Sequence, residues 1–213
     1  MINKKFFFIL LIGFTIFSCS KDDALRTDTS FENSADIQTR AAATHCETNV
    51  YDATTLDVTG TATLLRNDKK ISMTFQAENL TPGNAYTIWW VIWNNPAECA
   101  TPNACDVVDF SQTQVVRVDA LFAAGHVVGN SGVGHFAASR KEGDISGSTN
   151  YLFGEPAFAL EDARTAEVHL VIRDHGPAIP GKLNDQISSY LGSCDIYACY
   201  EQMFAIFSPD CGQ

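Results

Sequence analysis

Positive charge is scarce in this sequence: 14 Lys and Arg stand against 25 Asp and Glu over 213 residues, a formal net charge of −11. A phosphate backbone is bound by a basic footprint, and the lack of one excludes nucleic acid as a partner. Acidity of this size serves solubility. Familiar catalytic signatures are missing as well, with no H-E-x-x-H helix, no G-x-S-x-G elbow and no P-loop. No apolar run reaches the roughly 20 residues that span a bilayer as a helix. Helix signals are few, limited to short turns within residues 158–166 and 185–191.

What is present begins at the N-terminus. Lys4 and Lys5 precede an apolar run, residues 6–17, of the length expected for a secretory signal rather than a membrane helix. Ser18 and Cys19 follow, and this stretch resembles the lipobox of bacterial lipoproteins, with Ile16 where that family usually has Leu. The resemblance implies cleavage after residue 18, acylation of the Cys19 thiol with a palmitate-type chain, and a membrane anchor. Ser20-Lys21-Asp22-Asp23 resembles the charged cluster that directs some Gram-negative lipoproteins to the outer face of the outer membrane. Residues 19–44 are rich in Asp, Thr, Ser, Asn and Ala, too polar to offset the entropy of ordering. They read as a flexible tether, and residues 45–213 as a single domain.

Six further cysteines, Cys46, Cys99, Cys105, Cys194, Cys199 and Cys211, form an even set in an exported chain and read as three disulfides. Sequence alone does not choose among the pairings. Spacing favours Cys99 with Cys105, Cys194 with Cys199, and Cys46 with Cys211 across the ends of the domain. A zinc site made of cysteines is disfavoured, because C-x5-C and C-x4-C lack a matched second pair.

The domain body alternates apolar and polar residues with period 2. Leu56, Val58, Gly60, Ala62 and Leu64 form one such set, and Ile71, Met73, Phe75 and Ala77 another, across a turn at residues 66–69. Pro82-Gly83 suits a type II turn into residues 85–93. Residues 114–128 and 133–140 flank Gly129-Asn130-Ser131-Gly132 as a predicted hairpin, which would put His126 opposite His135. Residues 166–173 send Val168, Leu170 and Ile172 inward, with Glu167, His169, Val171 and Arg173 on the other face, and residues 201–207 supply a last strand. About seven or eight short strands with tight turns and staples predict an all-β fold, an antiparallel β-sandwich of immunoglobulin-like or superoxide-dismutase-like type.

All three tryptophans, Trp89, Trp90 and Trp93, lie on one strand that is apolar on both faces. Spacing favours a central strand whose outer face is covered by the Cys99–Cys105 loop. The alternative is a row of aromatics, Trp89 and Trp93, stacking on a sugar.

The residues with chemical potential are His126, His135, His169, Arg173, Asp174 and His175. Neutral imidazoles of His126, His135, His169 and His175 would suit zinc or copper, although each histidine reads first as a hydrogen-bonded structural residue. Arg173 and Asp174 read as loop-ordering residues. His175-Gly176-Pro177-Ala178 after an apolar strand resembles the secreted bacterial CHRD-type domains, with Arg173 where that family tends to have a second histidine. That resemblance implies a superoxide-dismutase-like sandwich and no particular activity. Two functions are expected from this reading. One is a non-catalytic envelope module that meets a protein or glycan partner through residues 95–105 and 174–184; the other is a histidine-based metal protein.

Overall fold

Alternating burial places eight antiparallel strands around one core in the structure, a computed structural model that describes residues 42 to 211. The expected signal segment, Cys19 and the tether up to residue 41 lie outside the described residues. The strands are β1 (Thr44–Asp52), β2 (Val58–Asn67), β3 (Lys70–Ala77), β4 (Asn84–Trp93), β5 (Val118–Val127), β6 (Gly134–Lys141), β7 (Glu167–Pro177) and β8 (Tyr200–Phe207). Their order is β5-β4-β7-β8-β1-β2-β3-β6. The β8–β1 seam is only two residue pairs long, Tyr51 with Phe204 and Asp52 with Met203. The sheet therefore turns a corner there and folds over, so that four strands face the other four, as in a sandwich. Among the described residues no helix is long and apolar enough to cross a membrane.

The period-2 pattern fixes which face looks inward. Ile71, Met73, Phe75 and Ala77 of β3 and Ile88, Trp90 and Ile92 of β4 are all buried in the same cluster as Val168, Leu170 and Ile172 of β7. The β2–β3 hairpin turns through Asp68 and Lys69, with Asn67 paired to Lys70. Gly83 has φ +83° after Pro82, and Asn84 N–H donates to Thr81 O, as the type II turn requires.

Two strand expectations are corrected. The first concerns β2, where Leu56 and Val58 are 63% and 58% exposed and Leu56 has φ +61°, so the strand starts later than its alternation suggests. The β1 register slips between Val50, opposite Gly60, and Tyr51, opposite Val58. Such a bulge reverses the facing of the residues before it. Gly60 is needed at this point, because a Cβ there would lie 1.9 Å from Gln76 O.

The second concerns the predicted hairpin around residues 129–132. It is not a hairpin, because β5 pairs with β4 while β6 pairs with β3. The Gly-Asn-Ser-Gly loop instead carries the chain from one half of the sandwich to the other. His126 lies opposite Tyr86 and His135 opposite Gln76, not opposite each other. The two outer strands still approach, and the His126 ring stacks on Phe136 at 4.3 Å between centroids.

Three disulfides, Cys46–Cys211, Cys99–Cys105 and Cys194–Cys199, staple the fold. Beside the first, Arg66 is 1% exposed and donates to Ala163 O at 3.1 Å, Ser208 O at 3.3 Å and Phe207 O at 3.5 Å. Burial pulls its pKa down to about 10, so it stays charged and clamps the end of β8 against β2. The Cys46–Cys211 bridge spans 165 residues. Replacing both cysteines with alanine is expected to cost about 5 kcal/mol in the chain-entropy model, whereas opening the Cys194–Cys199 loop should cost about half that. Denaturant midpoints of the two double variants check this, and equal losses would contradict it.

Candidate functional site

The outer face of β4 and β7 carries most of the residues singled out by sequence, and the chain covers that face with two loop layers. Thr87, Trp89, Val91 and Trp93 of β4 alternate outward, beside Glu167, His169, Val171, Arg173 and His175 of β7. Over one end lie residues 94–117, closed by Cys99–Cys105. Val91, Trp93, both of those cysteines, Val116 and Val118 form a second apolar cluster, separate from the sandwich core. Over the other end lie residues 178–199, closed by Cys194–Cys199. Gly125 makes room for this layer, since a Cβ there would lie 2.1 Å from Ile187 O.

Under the first layer, His169 Nε2 donates to Glu167 Oε1 at 2.8 Å, and the same oxygen accepts the Cys105 N–H at 2.9 Å. The Trp93 ring packs on His169 at 4.2 Å, and Phe110 meets Trp93 edge-on at 5.8 Å. Glu167 is 1% exposed, and among the described residues Glu167 Oε2 and Trp93 Nε1 have no hydrogen-bond partner. A carboxylate-bound imidazole is the geometry of a general base. Yet among the described residues no hydroxyl or free thiol is hydrogen-bonded to His169 for it to activate, and Cys105 is held in its disulfide.

Under the second layer, the bonds form a continuous chain. Trp89 Nε1 donates to Thr87 Oγ1 at 2.7 Å, Thr87 Oγ1 meets His175 Nε2 at 2.8 Å, and His175 Nδ1 meets Gly192 O at 2.9 Å. A carbonyl and an indole each have one role, so the tautomer follows. Nδ1 carries the proton and donates to Gly192 O, while Nε2 accepts from the Thr87 hydroxyl. Burial, ahead of the nearby Arg173 charge, holds the His175 pKa below its ordinary value. Arg173 Nε donates to Tyr190 O at 3.0 Å, its guanidinium lies 4.2 Å over the Tyr190 ring, and it pairs with Glu201. Burial raises the Tyr190 hydroxyl to about 12. Asp174 accepts from Asn84 Nδ2, from Gly176 N–H at 2.6 Å and from the Tyr200 hydroxyl. Each of these groups fastens a loop.

The four candidate imidazoles are not brought together. His169 and His175 belong to different layers, and His126 and His135 stand at the β5 and β6 margins of the sandwich. There His135 lines a shallow depression of about 270 Å³ with Thr61, Thr74 and Gln76. Burial, and then the His135 charge, lowers the His126 pKa. Among the described residues, the groups of three possible metal ligands within 4.8 Å are His175 with Cys194 and Cys199, and Cys99 with Cys105 and Asp109. Neither contains a second imidazole. Trp89 and Trp93 are 3% and 2% exposed, so their rings are not presented to a sugar.

Three further buried polar residues, Asp109 and Gln186 in the two cover layers and Asp119 on β5, were not singled out by sequence. Asp119 accepts from Ser148 Oγ at 2.5 Å and Phe158 N–H at 3.0 Å, and burial raises its pKa. Asp109 accepts the N–H groups of Ala100 and Asp106. Gln186 bonds Ile179 N–H, His175 O and Pro177 O. Only capping-box spacing at Asp106 and Asp109 hinted at any of them. Comparison of the chain with protein-family models, with curated proteins and with solved structures finds no match.

Thr87→Val keeps the shape of residue 87 but leaves Trp89 Nε1 and His175 Nε2 unpaired. The expected cost is about 2–4 kcal/mol, read from denaturant unfolding, and a neutral effect would contradict this chain of bonds. The histidines also set a pH dependence. Because His175 and His126 are depressed in the fold, the unfolded chain takes up protons below about pH 6.5 that the folded chain refuses. Stability is full above that pH and falls as pH drops toward 5. A melting temperature that stays flat or rises from pH 6.5 to 5 would contradict these assignments.

Proposed function

We propose that the protein is a lipid-anchored, non-catalytic binding module of the Gram-negative cell envelope, held by Cys19 and meeting a protein partner through its outer loop layer. One observation carries this reading: polar side chains of the 94–117 layer are spent on internal fastening, while large apolar ones stand outward from it and from the neighbouring turn Asn150–Phe153. Val107 is 77% exposed, Tyr151 72%, Phe153 68% and Val108 58%. They stand on tied loops, since the capping box of Asp106 with Asp109 orders residues 107–112 and Gln114 Nε2 donates to Glu155 Oε2 across to the second loop. Apolar side chains on ordered loops are the usual material of protein contacts. The contact region expected at residues 95–105 and 174–184 therefore moves to residues 107–115 and 151–153.

A glycan is the weaker choice of partner, because the tryptophans suited to stacking lie beneath the cover and aliphatic Val107 and Val108 offer a sugar little. The lipobox-like stretch and the charged residues after Cys19 support the anchor and an outward-facing location.

Two variants test the two halves of this reading. Cys19→Ser should move the protein from the membrane fraction to the soluble one and abolish incorporation of labelled palmitate; unchanged membrane association would contradict the anchor. The double variant Val107→Asp with Tyr151→Asp should keep its stability within about 0.5 kcal/mol of the parent. It should also lose a partner cross-linked from residue 153 on intact cells. The same cross-link at undiminished yield would contradict this face as the contact.

A further inference from the structure

We propose that the Cys194–Cys199 disulfide masks a metal site, which on reduction holds one Zn²⁺ through the two cysteine thiolates and His175 Nδ1. His175 Nδ1 lies 3.5 Å from Cys199 Sγ and 3.9 Å from Cys194 Sγ. Ligands about 2.1 to 2.3 Å from one tetrahedral zinc stand roughly 3.5 to 4 Å apart. The two nitrogen-to-sulfur separations are thus already those of a zinc site; the sulfurs have to part, and Gly192 O, 2.9 Å from Nδ1, has to give way to the ion.

The surroundings fit the ligand role. To ligate through Nδ1, His175 shifts its proton to Nε2, which then donates to Thr87 Oγ1, 2.8 Å away. A zinc-bound histidine normally donates its second N–H to such an oxygen. The chain leading to the cysteines, up to residue 190, also keeps ties independent of the disulfide: the three bonds of Gln186, the Arg173 bond to Tyr190 O, and the Trp89–Tyr190 ring contact at 5.2 Å.

Selectivity follows from loop length and access. Cys194–Cys199 closes a loop of sequence separation 5 and both cysteines are partly exposed. Cys99–Cys105 is comparably short but its cysteines are 5% and 4% exposed, and Cys46–Cys211 constrains the whole domain. An attacking thiolate therefore reaches Cys194–Cys199 first and removes the least constraint. The other cysteine group is a poor competitor, since Asp109 already accepts from Ala100 N–H and Asp106 N–H. In the chemistry, an external dithiol breaks the S–S bond, giving two cysteine thiols and the oxidised dithiol. Zn²⁺ then displaces one proton from each thiol, releasing two protons, and water completes the tetrahedron.

The test uses purified protein with its disulfides formed, treated with limiting dithiol, desalted, and titrated with Zn²⁺ against a chromogenic chelator. Co²⁺ reports thiolate ligation in parallel through its charge-transfer band. Untreated protein should bind no Zn²⁺, and treated protein one equivalent with the cobalt–thiolate band. His175→Gln should weaken binding about ten-fold or more. The double variant Cys194→Ser with Cys199→Ser, which keeps the other two staples, should show no band. The proposal is overturned if treated protein stays metal-free, if the double variant keeps the band, or if alkylation mapping finds another disulfide opened first.

Discussion

Strand β4 is apolar on both faces, and the rest of the architecture answers that constraint. Its inner face, with Trp90, Ile88 and Ile92, closes the sandwich core, as half the strand of any antiparallel sheet would. Its outer face carries Trp89, Val91 and Trp93, which an ordinary sandwich would leave wet. Each buried tryptophan removes on the order of 200 Å² from water. Exposing Trp89 and Trp93 together would thus cost about 10 kcal/mol, comparable to the whole net stability of a domain. The fold needs a cover as much as it needs a core.

The cover is made of irregular chain, whose backbone and polar side chains must find partners once buried. This explains why most of the candidate polar groups fasten cover backbone. Glu167 holds Cys105 N–H and His169, His175 links Thr87 to Gly192 O, and Arg173 and Asp174 hold the Tyr190 and Gly176 loops. Short disulfides reduce the entropy of each layer before it docks. What such a cover can offer a partner is its outward surface, where Val107, Tyr151 and Phe153 stand on loops already ordered for another purpose. Structure and proposed function share one cause in this respect.

Legibility in the sequence tracked the range of the interaction. The alternation of β3, the two-sided apolar run of β4 and the facing of β7 were readable, because they depend on residues two apart in one strand. The cover over Trp93 was readable as well, from a two-faced strand beside a C-x5-C loop. The β5–β6 connection was misread, since Gly-Asn-Ser-Gly suits a hairpin locally and only the pairing of β5 with β4 and β6 with β3 decides otherwise. The His126–His135 pairing fell with it. Strand β1 gave no signal, because Cys46 and Val50 alternate with an intervening Thr48 that hides the pattern. Asp119, Gln186 and Arg66 were invisible for a related reason: their carbonyl and amide partners lie far away in the chain or in loops without motif.

Acrylamide quenching of the intrinsic tryptophan fluorescence tests the covered strand most directly, because all three tryptophans are on β4 and none is more than 3% exposed. The account predicts a blue-shifted emission and a quenching constant several-fold below that of the same protein unfolded in denaturant. Quenching in the native protein close to the unfolded value would mean that the outer face of β4 is open, and would contradict the account.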